Sequence, residues 1–148
     1  MYKEKIHFEI DMGVSPEKVF GFLTDPHNIP LVLPGLIENS NIPPLPVVVG
    51  TKFNFKYQMF GVIQEGVVAV DKAESPTAYD FTSTGGVDSK WIQRMTEKDG
   101  GTHFTLDIEY NPPQSWIDKV KLSVVQKMNQ SDAERYLQNI NTLLAMQA

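Results

Sequence analysis

The chain has 148 residues, a formal net charge of -5 and no cysteine, which fits one domain over residues 1–148 that buries roughly 68 to 70% of the surface its unfolded form exposes. Without cysteine there is no disulfide framework, thiolate nucleophile or Cys-ligated metal. Mild acidity with no Lys/Arg cluster argues against a nucleic-acid or anionic-membrane surface, and no window approaches the ~20 apolar residues of a membrane span.

The N-terminus, MYKEKIHFEIDM, alternates charged with apolar residues and lacks the apolar run of a secretory signal, so cytoplasm is the expected location. Ile6, Phe8, Ile10 and Met12 share one face with His7, Glu9 and Asp11 on the other, which predicts a strand over Lys3 to Met12. Ser15 then caps a short helix that starts at Pro16, carries Val19, Phe20 and Leu23 on its apolar face, and stops at Asp25 and Pro26.

The next stretch, DPHNIPLVLPGL, fits no regular element, because Pro26, Pro30 and Pro34 interrupt a run of Ile, Leu and Val. So much apolar surface on broken backbone points to a lid or a plug over an apolar interior. Leu36 to Ile42 reads as a strand, and the prolines of NIPPLPVVVG postpone any internal strand to about Val47.

From Thr51 the pattern is all strand. Phe53, Phe55, Tyr57 and Met59 alternate with polar residues, Gly61 turns the chain, and Val62 to Asp71 follows with its inward face unassigned, because Val67 to Val70 blur the alternation. Tyr79, Phe81 and Ser83 share a face, Gly85-Gly86 makes a hairpin turn, and Trp91, Gln93 and Met95 share the next face. After Asp99-Gly100-Gly101, residues Phe104, Leu106, Ile108 and Tyr110 oppose His103, Thr105, Asp107 and Glu109, and Pro112-Pro113 ends the sheet.

Gln114 to Ala148 is helical by composition. At about 100° per residue, Ile117, Val120, Val124 and Met128 lie on one face, and Ala133, Tyr136, Ile140 and Leu144 on another, rotated by roughly a third of a turn. With Ser131 and Glu134 spaced as a capping box, a break near Asn129 to Asp132 competes with one continuous helix in which Ser131 and Asp132 face water.

The order strand, two short helical pieces, six strands and a long terminal helix resembles the START-like (SRPBCC) superfamily of polyketide cyclases/dehydrases and lipid-transport-like proteins. The resemblance spans nearly the whole chain and is carried by SPEKVFGFLTDP, GGTHFTLDIEY and DAERYLQNINTLL. It implies an α+β helix-grip fold: a seven-stranded curved antiparallel sheet wrapped around the C-terminal helix, two short helices between strands 1 and 2, and an apolar cavity between sheet and helix. Locally, LTDPHNIPLVLPGLIE also looks like the carbon monoxide dehydrogenase branch of that superfamily, sharing an Asp-Pro and a Leu-Pro-Gly in this order. In the helix-grip frame DPHNIPLVLPGL crosses the cavity mouth, where Ile29, Leu31, Val32 and Leu33 can cover it, and IPPLPVVVG forms the opposite rim.

No motif with a named mechanism is present, so no catalytic residue, metal or cofactor is assigned. His103 and Asp107 share a strand face but stand roughly 13 Å apart, too far to ligate one ion. His7 could meet one of the last strand's carboxylates across the ladder, and His27 reads as an exposed loop residue. The inward face is more informative. Phe53, Phe55, Tyr57, Tyr79, Phe81, Trp91, Gln93 and Tyr110, together with Leu33, are the candidate ligand-binding residues. Their polar company, chiefly Ser83, Ser89, Gln93 and the tyrosine hydroxyls, is neutral, which suits an apolar ligand that must be oriented.

Three functions remain open. The first is binding or transport of a small hydrophobic molecule such as a lipid, isoprenoid or polycyclic aromatic, as the resemblance implies. The second is a polyketide cyclase/dehydratase-type enzyme using Tyr57, Tyr79, Gln93 and Glu65 if that side chain points inward. The third is an accessory or interaction module for a metalloenzyme or chaperone. The oligomeric state is open as well.

Overall fold

A computed structural model describes residues 1–147 of the chain. Its strands are β1 (Glu4–Met12), β2 (Leu36–Ser40), β3 (Lys52–Met59), β4 (Val62–Glu74), β5 (Ala78–Thr84), β6 (Asp88–Lys98) and β7 (Gly101–Asn111). Its helices are α1 (Pro16–Leu23), α2 (Gln114–Ile117) and α3 (Leu122–Met146), with a 3-10 turn at Pro26–Leu31. The strands form one curved antiparallel sheet in the order β1-β7-β6-β5-β4-β3-β2, with α3 gripped against its inner face. This is the helix-grip arrangement, with two short helical pieces between β1 and β2. Among the described residues no helix is long and apolar enough to cross a membrane.

The alternating strands bury the faces their sequences specify. Phe53, Phe55 and Met59 of β3 and Phe104, Leu106, Ile108 and Tyr110 of β7 enter the core, while β4 turns Val68 and Val70 inward and Glu65 outward. The blurred stretch in β4 has a geometric cause. The pairing with β5 slips between Val70 and Lys72, so Asp71 sits at a bulge that bends the strand. Gly66 lets β4 pass close to the β5–β6 turn: a Cβ there would lie 2.2 Å from the Thr84 carbonyl oxygen. The β6–β7 hairpin has Asp99 at φ 52° and Gly100 at φ 81°, the left-handed pair that a tight Asp-Gly turn requires.

Two segments depart from the sequence reading. DPHNIPLVLPGL contains a regular element after all: Asp25 caps the 3-10 turn by accepting from the His27 amide at 3.0 Å, and Pro26 fills its first turn, where a missing N–H costs nothing. Side-chain amides anchor the segment: Asn39 donates to Pro26 O (2.8 Å) and Asn139 of α3 to Val32 O (2.9 Å). Its apolar residues do not act together, because Leu31 points to solvent at 68% exposure and Val32 is buried in the core. In the second proline-rich stretch Val47 packs into the core while Leu45, Val48 and Val49 are exposed.

The C-terminal helical region breaks earlier than Asn129. α2 ends at Ile117, and α3 runs without interruption from Leu122 through Ser131. Its buried stripe is Val125, Asp132, Ala133, Tyr136, Leu137, Ile140 and Leu144, so Val124 and Met128 lie on the exposed side and Asp132, at 7% exposure, does not face water.

Candidate ligand cavity

Between the inner face of the sheet and the helices α2 and α3 lies a cavity of about 130 Å³, space on the order of ten water-sized atoms. β3 lines it with Phe53, Phe55 and Tyr57, β5 with Tyr79 and Phe81, β6 with Trp91 and β7 with Tyr110. Leu33 closes it from the proline-rich segment, joined there by Pro26 and Ile29. The aromatic wall is ordered. Phe81 stacks on Trp91 with ring centroids 5.3 Å apart, and Trp91 meets Tyr136 edge-on at 5.4 Å, the offset and T-shaped geometries that ring quadrupoles favour.

One candidate stands outside this wall. Gln93 has no exposed surface, and its Oε1 accepts a 2.7 Å hydrogen bond from the Tyr136 hydroxyl. It therefore fixes Tyr136, which does line the cavity, and does not face the cavity itself. Glu65 is also excluded, since its side chain is 70% exposed and pairs with Lys56 at 3.6 Å.

The expectation that every polar group in the cavity is neutral fails at Asp132. This carboxylate lines the cavity, and its Oδ2 accepts from the Tyr57 hydroxyl at 3.2 Å. Burial raises the Asp132 carboxyl above its ordinary 3.8, opposed by the Tyr57 hydrogen bond and the charge of Arg135. Burial, reinforced by that same carboxylate, holds the Tyr57 phenol well above 10.0, so it stays a neutral donor.

Other polar groups in the wall are satisfied within the protein. The Ser83 and Ser89 hydroxyls lie 2.5 Å apart, and Asn129 of α3 donates to the Tyr110 hydroxyl at 2.9 Å. Trp116 of α2 is the exception. Its indole lines the cavity beside Tyr57, ring centroids 5.9 Å apart, and its buried Nε1–H has no hydrogen-bond partner.

A family model described as polyketide cyclase / dehydrase and lipid transport matches residues 3–145. The chain belongs to this family. Solved structures share the fold: TTHA0849 from Thermus thermophilus, at 16% identity and a TM-score of 0.80, covers 98% of this chain and 100% of its own. MLL2253 from Mesorhizobium loti, at 19% identity and a TM-score of 0.71, covers 98% and 99%, and Ara h 8.0201, at 17% identity and 0.67, covers 96% and 98%. No curated protein matches the chain. These comparisons place it among START-like proteins of the polyketide cyclase and lipid transport family, and none of them supports the local likeness to the carbon monoxide dehydrogenase branch.

The histidines of this family member sit away from the cavity. On the outer face of β1 and β7, His7 Nδ1 lies 2.7 Å from Asp107, its partner across the ladder, and His7 Nε2 lies 2.8 Å from Glu9. His103 continues the chain to Glu9 at 3.0 Å and to Asp11 at 2.6 Å, and Lys98 closes it on Asp11 at 2.8 Å. His27, exposed as expected, hydrogen-bonds to Asp25 beside the 3-10 turn.

Asp132, Tyr136, Asn129 and Trp116 are absent from the sequence-based candidates although all four line the cavity. The helical ones were within reach. Continuing the stripe Tyr136, Ile140, Leu144 toward the N-terminus in steps of three and four arrives at Asp132, Asn129 and Val125, whereas the competing phase through Val124 and Met128 leads to solvent. Trp116 depends on where α2 folds back over β3 and β4, which no periodicity in four residues encodes.

Proposed function

We propose that the protein binds a small hydrophobic molecule in the cavity between the sheet and α3. The observation that carries this reading is the wall itself: aromatic side chains from four strands converge on open space, with polar groups few and mostly satisfied by one another. A solid core would fill that space, since interiors pack as densely as organic crystals and voids larger than a water are rare. Membership in a family described as polyketide cyclase / dehydrase and lipid transport supports the same ligand class. Native mass spectrometry of protein purified from its own host tests for a co-purifying lipophile, and a solvatochromic dye tests for uptake. Dye binding with displacement by lipophilic compounds is the expected result; no uptake and no co-purifying molecule would refute the reading.

Asp132 favours a second reading, in which the same cavity hosts cyclisation or dehydration chemistry. A carboxylate with a raised proton affinity inside an apolar site is a candidate proton acceptor. In that case Asp132→Asn abolishes turnover of a polyketide-type substrate while binding persists.

A further inference from the structure

We propose that the ligand is a neutral, hydroxyl-bearing lipophile, an alcohol or phenol, whose hydroxyl lies at the Tyr57 end of the cavity, donating to Asp132 and accepting from Trp116. The inference rests on the ligand-binding reading above and deepens it.

The cavity has a pole. Its apolar end is the Phe81–Trp91 stack with Phe53 and Phe55, and its polar end gathers around Tyr57, which touches Trp116 with its ring and Asp132 with its hydroxyl. The two groups left with spare capacity there are of opposite kind. Asp132 uses Oδ2 for the Tyr57 bond, and no donor among the described residues reaches Oδ1. Trp116 Nε1–H is a buried donor with no acceptor. Leaving either group dry is costly, so whatever fills the cavity has to bring a donor for one and an acceptor for the other.

A hydroxyl does both. An ether or ester serves only the indole, and a carboxylate serves the indole while setting a second negative charge beside Asp132, with no ion pair present to offset it: Arg135 influences Asp132 only at longer range. A fatty acid is therefore the wrong cargo for this cavity, and the corresponding alcohol the right one.

The test is displacement of a solvatochromic dye at neutral pH by three probes with one apolar body: decan-1-ol, its methyl ether and decanoate. The wild-type protein is expected to bind the alcohol roughly tenfold more tightly than the ether and to bind decanoate more weakly still, a tenfold step corresponding to one hydrogen bond of ordinary strength. Asp132→Asn, nearly isosteric and still able to accept from Tyr57, is expected to narrow the alcohol-to-decanoate ratio by tenfold or more. Trp116→Phe, which keeps an aromatic ring and removes the donor, is expected to weaken the alcohol severalfold; circular dichroism verifies that each variant is folded. Equal binding of the three probes, or an unchanged alcohol-to-decanoate ratio in folded Asp132→Asn, overturns the inference and leaves the ligand-binding reading standing. Failure of the wild-type protein to take up the dye or any probe overturns both.

Discussion

Trp91 and Phe104 are both large inward aromatics, yet they differ in what lies beyond the ring. Phe104 has no exposed surface and is packed on every side, so Phe104→Ala should cost about 3 to 5 kcal/mol in urea unfolding. Trp91 borders open space, and truncating it mostly enlarges a cavity that already exists, so Trp91→Ala should cost less than about 3 kcal/mol despite removing a larger side chain. Equal losses at the two positions would mean that the cavity is closed by packing in solution. The chain's 2 tryptophans, Trp91 and Trp116, both line the cavity, so a bound lipophile should shift intrinsic fluorescence. Gln93 offers a separate check on a buried polar pair. Gln93→Leu strands the Tyr136 hydroxyl, which is 1% exposed, and should cost about 1 to 3 kcal/mol. Adding Tyr136→Phe removes the orphaned group, so the double variant should be less destabilised than the two single losses summed. Such residue-level roles were only partly legible. Tyr79, Phe81 and Trp91 follow from strand alternation, whereas Gln93 shares that face and yet is screened from the cavity by Tyr136, a helix residue whose position depends on tertiary packing.

Element by element, the strands were easier to read than the helices because a period of two tolerates no phase error. A residue either faces the helix or the solvent, and only the bulge at Asp71 obscured the alternation. α3 offered two apolar stripes, and the one through Val124 and Met128 belongs to the exposed side, which concealed Asp132. The segment DPHNIPLVLPGL was legible as a closure over an apolar interior, but its cohesion lies in asparagines: Asn28 donates to Phe22 O at 3.1 Å, and Asn39 and Asn139 hold Pro26 O and Val32 O. These bonds tie both ends of the 3-10 turn to neighbouring elements, including the helix that forms the far wall of the cavity. Loss of the α3 tether in Asn139→Ala should cost about 1 kcal/mol and raise deuterium exchange in residues 28–36 above that of the wild type. If the segment gates the cavity, a bound lipophile should slow exchange in the same residues of the wild-type protein; a permanent plug would show no response.

For the whole molecule, the architecture was legible because order and length of elements leave few ways to bury one face of seven strands, and a 25-residue helix is long enough to cover that face. What no single element reveals is the seam that closes the sheet, where β1 pairs with β7 some hundred residues away in sequence. On its outer face the carboxylates of Asp107, Glu9 and Asp11 alternate with His7 and His103, each imidazole lying between two acids. Hydrogen bonding to Glu9 and Asp107 raises His7 above its ordinary 6.5, and bonding to Asp11 first, then Glu9, raises His103 in the same direction against slight desolvation. A raised histidine stabilises the fold fully below pH 6.5, where it is protonated in both states, and that contribution is lost as the pH climbs through the folded-state value. The acids run the other way. Glu9 is lowered from 4.5 by its bond to His7, and Asp11 from 3.8 by its bond to Lys98, so their share is present above those values and lost as the pH falls through the lowered ones. The seam is therefore strongest between about pH 4.5 and pH 6.5. Melting temperatures of the wild type and of the His7→Gln, His103→Gln double variant should differ most inside that window and converge at alkaline pH. Because these side chains are solvent-exposed, the difference should also shrink in high salt. A gap that persisted unchanged from pH 5 to pH 9 would show that the histidines act through packing, with no role for their charge.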